Sequence, residues 1–195
     1  MMSFIELAKK RVSVRSYANR PMPDEDIVKI LEAGRLAPSG NNAQPWRFIV
    51  VRDAAIKKKL YEVSGKQQWI LDAPAVIAVI ADPLAKFKDV ERNEYDSLNA
   101  AHKTTLLIKA VRDASIAAEH IVLAATDLGY GSCWVALFEQ EEIRPVLAVP
   151  EHCYVVTLLT VGRPKETPKP GGKRHSLAEL TFDERYGRRT AICRE

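Results

Sequence analysis

Hydrophobic and polar residues alternate strictly over residues 11–15, Arg-Val-Ser-Val-Arg, and this pattern predicts an extended segment. Its two valines share one face, while Arg11, Ser13 and Arg15 share the other. At a strand rise of about 3.3 Å per residue, the two arginines lie roughly 13 Å apart along the backbone. The polar face suits an elongated ligand with a phosphate at one end and an electron-poor ring at the other. An edge strand with a solvated basic face carries the same pattern.

Apolar residues at helical spacing predict a series of helices. Ser3 and Glu6 match the capping box, so the first helix is expected to begin at Ser3. The longest helix carries a stripe of small residues that would let another helix approach closely, and we interpret it as core or dimer packing. The expected helices cover residues 3–10, residues 23 or 24 to a point before Pro38, and residues 54–64, 105–128 and 141–147.

Apolar runs of strand length predict a sheet that is buried on both sides. Residues 74–81 and 154–161 are almost continuously apolar, which is typical of strands covered on both faces. Shorter strands are expected at residues 46–51 and 132–136. The mixture indicates an α+β sandwich, with helices packed on a mostly antiparallel sheet, in a single domain over residues 1–195.

Three polar stretches separate or follow these elements. Residues 82–104 carry several lysines, and we expect a mobile loop or lid there. Residues 163–175 are rich in proline, glycine and lysine and are expected to form a loop. Residues 176–195 form a C-terminal extension with few apolar anchors, so we expect it to pack on a partner subunit.

Composition narrows the class of protein. Hydrophobic residues make up 47% and charged residues 28% of the chain, which is ordinary for a globular protein. The net charge of +4 fits small anionic ligands and gives no indication of nucleic-acid binding, which usually shows as a denser basic face. No apolar run is long enough to cross a membrane, and no signal peptide is visible.

The cysteines and histidines give no indication of a metal or disulfide site. Cys133, Cys153 and Cys193 form no C-x-x-C pair, so we expect neither a disulfide scaffold nor a zinc site, and we expect a cytoplasmic location. The four histidines are scattered without metal-ligand spacing and are expected to be surface or hydrogen-bonded residues. Cys133 is expected to be a small buried packing residue.

Two glycine-containing segments do not match the motifs that bind nucleotides. The glycines at 129 and 131 follow a helix and lack the third glycine of a dinucleotide fingerprint. The segment Gly171-Gly172-Lys173 lacks the first glycine and the Ser or Thr of a P-loop. A resident dinucleotide or a P-loop phosphate site is therefore not indicated.

Two loops carry candidate ligand contacts. The loop over residues 37–46 has a density of amide and hydroxyl groups that is unusual for a plain connection between a helix and a strand. The loop over residues 171–174, Gly-Gly-Lys-Arg, supplies a second basic group after a buried strand. Arginine binds phosphate oxygens with fixed geometry, so two basic segments that converged on one phosphate would hold it firmly.

Five motifs together resemble the FMN-dependent nitroreductase family. They are R-x-S-x-R at residues 11–15, A-P-S-G-N-N-A-Q-P-W-R-F at 37–48, D-A-P-A-V-I at 72–77, L-G-Y-G-S-C-W-V-A-L-F at 128–138 and V-G-R-P-K at 161–165. They fall in the family's order and cover nearly the whole chain, and the first two in combination are specific. The resemblance implies an intertwined homodimer of α+β subunits with two FMN sites at the interface.

The resemblance also implies roles for the basic residues. Arg11, Ser13 and Arg174 match the contacts to the phosphate and the ribityl chain, with Lys173 beside them. Arg15 matches a basic residue near the flavin N1 and C2 carbonyl, where a cation would stabilise the anionic reduced ring.

The remaining contacts that the resemblance implies come from loops. The loop residues Pro38, Ser39, Gly40 and Asn42 match the loop that reaches the flavin from the other subunit. Gln67 resembles a position at the pyrimidine edge. Residues 134–137 resemble the segment along the flavin, with the backbone N–H of Ala136 pointing at N5. Many relatives carry glycine where this chain has Leu137, which affects the shape of the pocket. The implied cofactor-binding residues are Arg11, Val12, Ser13, Arg15, Pro38, Ser39, Gly40, Asn42, Gln67, Trp134, Val135, Ala136, Leu137, Lys173 and Arg174.

The activity implied by the resemblance is that of a flavin oxidoreductase. NADH or NADPH would pass a hydride to flavin N5, and a nitroaromatic, a quinone or a free flavin would then enter the same slot, which gives ping-pong kinetics. No side chain need act as a nucleophile, since the cofactor carries the chemistry. The alternatives are an FMN-binding module without efficient turnover and a flavin-destroying or dehalogenating relative of the same fold.

Overall fold

Four strands form one antiparallel sheet in the computed structural model, which describes residues 2–85, 92–169 and 171–192. The strand order is β1-β2-β4-β3, and each neighbouring pair is antiparallel. The strands are β1 (Trp46–Val51), β2 (Ala75–Ala81), β3 (Gly131–Val135) and β4 (Tyr154–Gly162). The expected antiparallel sheet is therefore confirmed, with strand bounds within one residue of those predicted.

Helices connect these strands and cover the sheet. Ser3 caps the first helix as predicted, because its N–H donates to Glu6 Oε2 at 2.6 Å and its Oγ accepts from the Glu6 N–H at 3.3 Å. A short 3-10 turn lies at Gly40–Asn42. The helices are α1 (Phe4–Lys10), α2 (Asp24–Arg35), α3 (Ala54–Val63), α4 (Trp69–Asp72), α5 (Arg92–Ser97), α6 (Ala100–Asp127), α7 (Gln140–Leu147) and α8 (Leu177–Leu180).

The central strand β2 is buried on both faces, as its continuous apolar run predicts. Ile77 and Val79 belong to a core shared with α2 and α6, whereas Val76 and Ile80 belong to a second core that includes residues of α3, α4 and α7. Every residue of β2 is at most 3% exposed. Helices on both sides of an antiparallel sheet confirm the expected α+β sandwich.

The stripe of small residues on α6 is core packing within one chain. Ala114, Ala117 and Ala118 are fully buried and belong to the same core as α2. A β-carbon at Gly34 of α2 would lie 2.7 Å from Ile121 Cγ1 of α6, so this crossing requires glycine. The close contact fixes α2 against α6.

The long helix begins earlier than the sequence pattern predicts. α6 starts at Ala100 instead of residue 105, and the Asn99 side chain caps it by accepting from the His102 N–H at 3.0 Å. Its first buried residue is Ala110, so the first turns lack the apolar spacing from which a helix is inferred. Together with α5, this puts two helical segments in the expected loop at 82–104, of which residues 86–91 lie outside the described residues.

Besides α5, two further short helices were not predicted. α4 has a single turn and gives no periodic signal. α8 does carry one, because Ser176 and Glu179 form the same capping box as in α1. Over the described residues, none of the helices combines the length and the apolar character needed to span a bilayer.

Candidate functional site

The extended segment at residues 11–17 is docked against the end of the sheet. Val14 N–H donates to Ser132 O at 2.9 Å, and Ser13 pairs with Ser132 in an isolated parallel bridge. The Tyr17 hydroxyl donates to Val14 O at 2.7 Å and lies 2.8 Å from Thr160 Oγ1. The segment is extended as predicted, but it joins the sheet through one bridge instead of a full ladder.

Gly131 permits this close approach. A β-carbon at Gly131 would lie 2.7 Å from Val14 Cβ, so any side chain there would displace the segment. Val14 is buried, whereas Ser13 and Arg15 are exposed. Because Val14 is buried against Gly131, the polar side of the segment faces outward.

Both arginines of this segment lie close to β3. The Arg15 guanidinium carbon is 5.4 Å from the centre of the Trp69 ring. Burial raises the pKa of the Cys133 thiol, and the charges of Arg15 and Arg11 act in the opposite direction, which places both guanidinium groups near this residue. Burial likewise raises the pKa of Glu119, and Arg11 opposes it. The two arginines thus border one part of the sheet.

The basic loop at residues 171–174 reaches the same segment. A β-carbon at Gly171 would lie 3.7 Å from Val12 Cγ1 and 3.6 Å from Arg174 Nη2. Lys173 and Arg174 are both exposed. The structure therefore places the second basic loop beside Val12, the immediate neighbour of Arg11.

A tight turn between α3 and α4 forms the other border of the site. Gly65 and Lys66 have φ values of 64° and 53°, in the left-handed region. A β-carbon at Gly65 would lie 2.6 Å from Leu137 Cδ2 and 3.8 Å from Gln67 Nε2, and that amide donates to Ser64 O at 3.0 Å. The turn thus places Gln67 beside the residues that follow β3.

Residues 134–137 leave the sheet at this border. Val135 is 1% exposed and Trp134 is half-buried, whereas Ala136 is exposed and Leu137 is 66% exposed. The backbone at Ala136 and the side chain of Leu137 therefore lie at the surface that Gln67 also borders.

This region offers room and unpaired polar atoms. A cleft of about 270 Å³ is lined by residues 12–16 and 166–169. Among the described residues, the buried atoms Ser64 Oγ and Trp69 Nε1 have no hydrogen-bond partner. Cations on the segments that border this cleft fit an anionic ligand.

The loop at residues 37–45 is attached to α6. Gly40 N–H donates to Asp113 Oδ2 of α6 at 3.0 Å, and Gln44 N–H donates to Ser39 Oγ at 2.9 Å. Asn41 and Asn42 have φ values of 53° and 52°, a conformation that asparagine tolerates better than most residues. The sequence predicted a turn-rich loop here but did not predict its attachment to α6.

Within one chain, the contacts of the described residues do not join this loop to the arginines. Gly40, Asn41 and Pro45 instead line a cavity of about 160 Å³ together with residues of α6. The predicted site residues therefore fall into two groups. One contains residues 11–15, 67, 134–137, 173 and 174, and the other contains Pro38, Ser39, Gly40 and Asn42.

Three residues at these places were missed by sequence reasoning. Trp69 lies under Arg15, Glu119 lies near Arg11, and Asp113 holds Gly40. Asp113 is only 5% exposed, and a carboxylate within a buried stripe of a helix is the one local signal that could have drawn attention to it. The other two depend on contacts between distant segments.

The family model described as the nitroreductase family matches residues 8–163. The chain belongs to the nitroreductase family. The matched region includes both groups of site residues except those in the loop at 171–174. The family resemblance inferred from the motifs is thereby confirmed.

Individual relatives agree with this assignment. The chain is 40% identical over 167 residues to an Archaeoglobus fulgidus protein whose name pairs NADH dehydrogenase with NAD(P)H nitroreductase, covering 83% of this chain and 86% of that one. The structure of NfrA2 from B. megaterium has a TM-score of 0.85 at 28% identity, covering 95% of this chain and 76% of that one. A nitroreductase from Exiguobacterium sibiricum, solved in complex with FMN, has a TM-score of 0.78 at 25% identity, covering 93% and 97%.

Replacing Asp113 by alanine should destabilise this nitroreductase-family chain by about 1–3 kcal/mol, because the Gly40 N–H loses its buried acceptor. Chemical denaturation measures the free energy of unfolding. Asp127→Ala is the matched control, since Asp127 is exposed on the same helix and should change stability by less than about 0.5 kcal/mol. Equal stability of Asp113→Ala and the unmodified protein would contradict the anchoring role.

Proposed function

We propose that this chain is an FMN-dependent oxidoreductase that passes reducing equivalents from NADH or NADPH to a small electron acceptor by a ping-pong mechanism. Membership of the nitroreductase family supports oxidoreductase activity, and the relative solved in complex with FMN supports the choice of flavin. The observation that carries the proposal is the convergence of two basic segments beside one open cleft.

The phosphate end of the cofactor would bind between these segments. Arg11, Ser13 and Arg174 supply two guanidinium groups and a hydroxyl, and Lys173 adds a further cation. Guanidinium groups form paired, charge-assisted hydrogen bonds with phosphate oxygens. The segment at residues 11–15 is held in place by Val14, so little conformational entropy would be lost when the phosphate binds.

The ring end would lie towards Arg15, Gln67 and residues 134–137. When bound, FMN supplies the hydride acceptor at N5 and returns the electrons to the second substrate. Arg15 would hold a positive charge near N1, and its position over Trp69 restricts its side chain. Gln67 would meet the polar edge of the ring, and the Ala136 N–H would point at N5.

The second group of residues would act from a partner subunit. Pro38, Ser39, Gly40 and Asn42 lie apart from the arginines in one chain, so they could complete the site only across an interface between two copies. Large apolar side chains stand exposed at places that such an interface would cover, as Phe4, Ile5 and Ile108 are 66%, 61% and 63% exposed. We therefore propose a homodimer with two sites.

The choice of acceptor would depend on groups at the border of the site. Leu137 is exposed and packs on Gly65, where a smaller residue would leave a wider opening. The segment at residues 82–104 would act as a lid, and the C-terminal extension would pack on the partner subunit. A nitroaromatic, a quinone or a free flavin fits this description.

Anaerobic reduction tests the proposed activity. The purified protein should be yellow, and NADH or NADPH should bleach its flavin absorbance within the time of one turnover. Addition of a quinone or a nitroaromatic should restore the absorbance, and initial rates should give parallel double-reciprocal lines. Full FMN occupancy without bleaching by either nucleotide would instead support a flavin-binding module.

Arg11→Ala should weaken FMN binding by about 1.5–3 kcal/mol, because it removes one charge-assisted contact to the phosphate. Fluorescence titration of the apoprotein with FMN measures the dissociation constant. Arg20→Ala, at an exposed arginine outside the proposed site, is the control and should bind FMN normally. Unchanged FMN affinity in Arg11→Ala would reject the phosphate assignment.

Arg15→Ala should lower the midpoint potential of the bound flavin, because a cation near N1 favours the reduced anionic ring. Spectroelectrochemical titration measures this potential. Arg15→Lys retains the charge, so its midpoint potential should stay close to that of the unmodified protein. A potential that is the same in all three proteins would show that Arg15 does not face N1.

A further inference from the structure

Three potential metal ligands meet at the end of the sheet opposite Arg11 and Arg15. Asp82 directly follows β2, and His152 and Cys153 directly precede β4. Ala81 of β2 pairs with Tyr154 of β4, so the register of the two strands brings these residues together. They are about 70 positions apart in the chain, which explains why cysteine and histidine spacing gave no indication of them.

The side chains are close enough to share one ion. One ligand atom from each of the three residues lies within 4.8 Å of the other two. The nearest measured pair is Asp82 Oδ1 and His152 Nε2, at 3.9 Å. Ligands of a tetrahedral zinc ion at bond lengths of about 2.0–2.3 Å are separated by about 3.5 Å, so small side-chain rotations would complete the geometry.

The imidazole of His152 is largely buried, and one of its ring nitrogens is unpaired among the described residues. Its Nδ1 is buried and makes no hydrogen bond among the described residues. Its side chain is 20% exposed, and Cys153 is 7% exposed. The other ring nitrogen, Nε2, lies 3.9 Å from Asp82 Oδ1 and would be the ligand atom, so Nδ1 would carry the ring proton.

The carboxylate is already oriented by a neighbour. Arg47 Nη2 lies 3.0 Å from Asp82 Oδ2, and Arg47 Nη1 donates to Trp46 O at 2.8 Å. This pair holds Oδ2, while Oδ1 accepts a hydrogen bond from the Leu84 N–H at 3.0 Å and lies 3.9 Å from His152 Nε2. Ligating carboxylates are commonly held by an outer hydrogen-bond partner in this way.

We propose that Asp82, His152 and Cys153 form a binding site for a divalent transition metal of the zinc class. A thiolate, an imidazole and a carboxylate are the ligands that zinc uses in proteins, and water would occupy the fourth position. The Asp82 N–H donates to Pro45 O at 2.7 Å, so the ion would also stiffen the end of the loop at residues 37–45. This proposal is independent of the flavin chemistry.

Cobalt(II) is the probe, because thiolate and imidazole ligands give tetrahedral cobalt strong absorption bands. The purified full-length protein is titrated with Co²⁺, and difference spectra are recorded in the red region, where oxidised flavin does not absorb. A saturable band at one ion per chain, abolished by added Zn²⁺, is the expected result. The absence of any band in the unmodified protein would overturn the proposal.

Cysteine variants identify the ligand. Cys153→Ser should weaken Co²⁺ binding by about 10-fold or more and remove the thiolate band. Cys133→Ser and Cys193→Ser are matched controls and should retain it. Circular dichroism verifies folding, and Asp82→Asn, which should also weaken binding, serves if Cys153→Ser does not fold. Co²⁺ binding by Cys153→Ser, or by Asp82→Asn used in its place, that is as tight as binding by the unmodified protein would overturn the assignment.

Discussion

The candidate site depends on the docking of Val14 against Gly131. This contact is so close that no side chain fits at Gly131, and it is reinforced by the hydrogen bond between Val14 N–H and Ser132 O. With the valine buried, alternation of the extended chain forces Ser13 and Arg15 to the outer side. Like charges on one short segment repel each other, so an arrangement of this kind favours an anion that binds between them.

The two groups of predicted site residues are held by different parts of the fold. The arginine group is fixed by β3 and the turn between α3 and α4, whereas the loop at residues 37–45 is fixed by Asp113 of α6. Each group is held by contacts within one chain, and each would supply only part of the proposed flavin site. In the proposed symmetric dimer, every contact across the interface would occur twice, and the first group of one subunit would meet the second group of the other.

The two ends of the sheet have separate chemical characters. The end near Ser132 and Thr160 carries Arg11, Arg15 and an open cleft, and the end near Asp82 and Cys153 carries thiol, imidazole and carboxylate groups beside Arg47. Strands β2 and β4, buried on both faces, connect them. The proposed metal and flavin sites would therefore be independent in their ligands yet share the same rigid core, and the loop at residues 37–45 is bonded to both α6 and Asp82.

The sequence by itself determined most of the elements, the sheet type and the family, since these follow from local patterns. Continuous apolar runs predicted β2 and β4, capping and alternation predicted α1 and the extended segment, and the ordered motifs identified the family. It could not determine where α6 begins, because the first turns of that helix are exposed and bury no apolar side chain. Only the tertiary structure decided that Trp69 lies under Arg15, that Asp113 holds Gly40, and that Asp82 meets His152. Each of these contacts joins segments that are distant in the chain, and their proximity is set by strand register and helix packing, which no local pattern encodes.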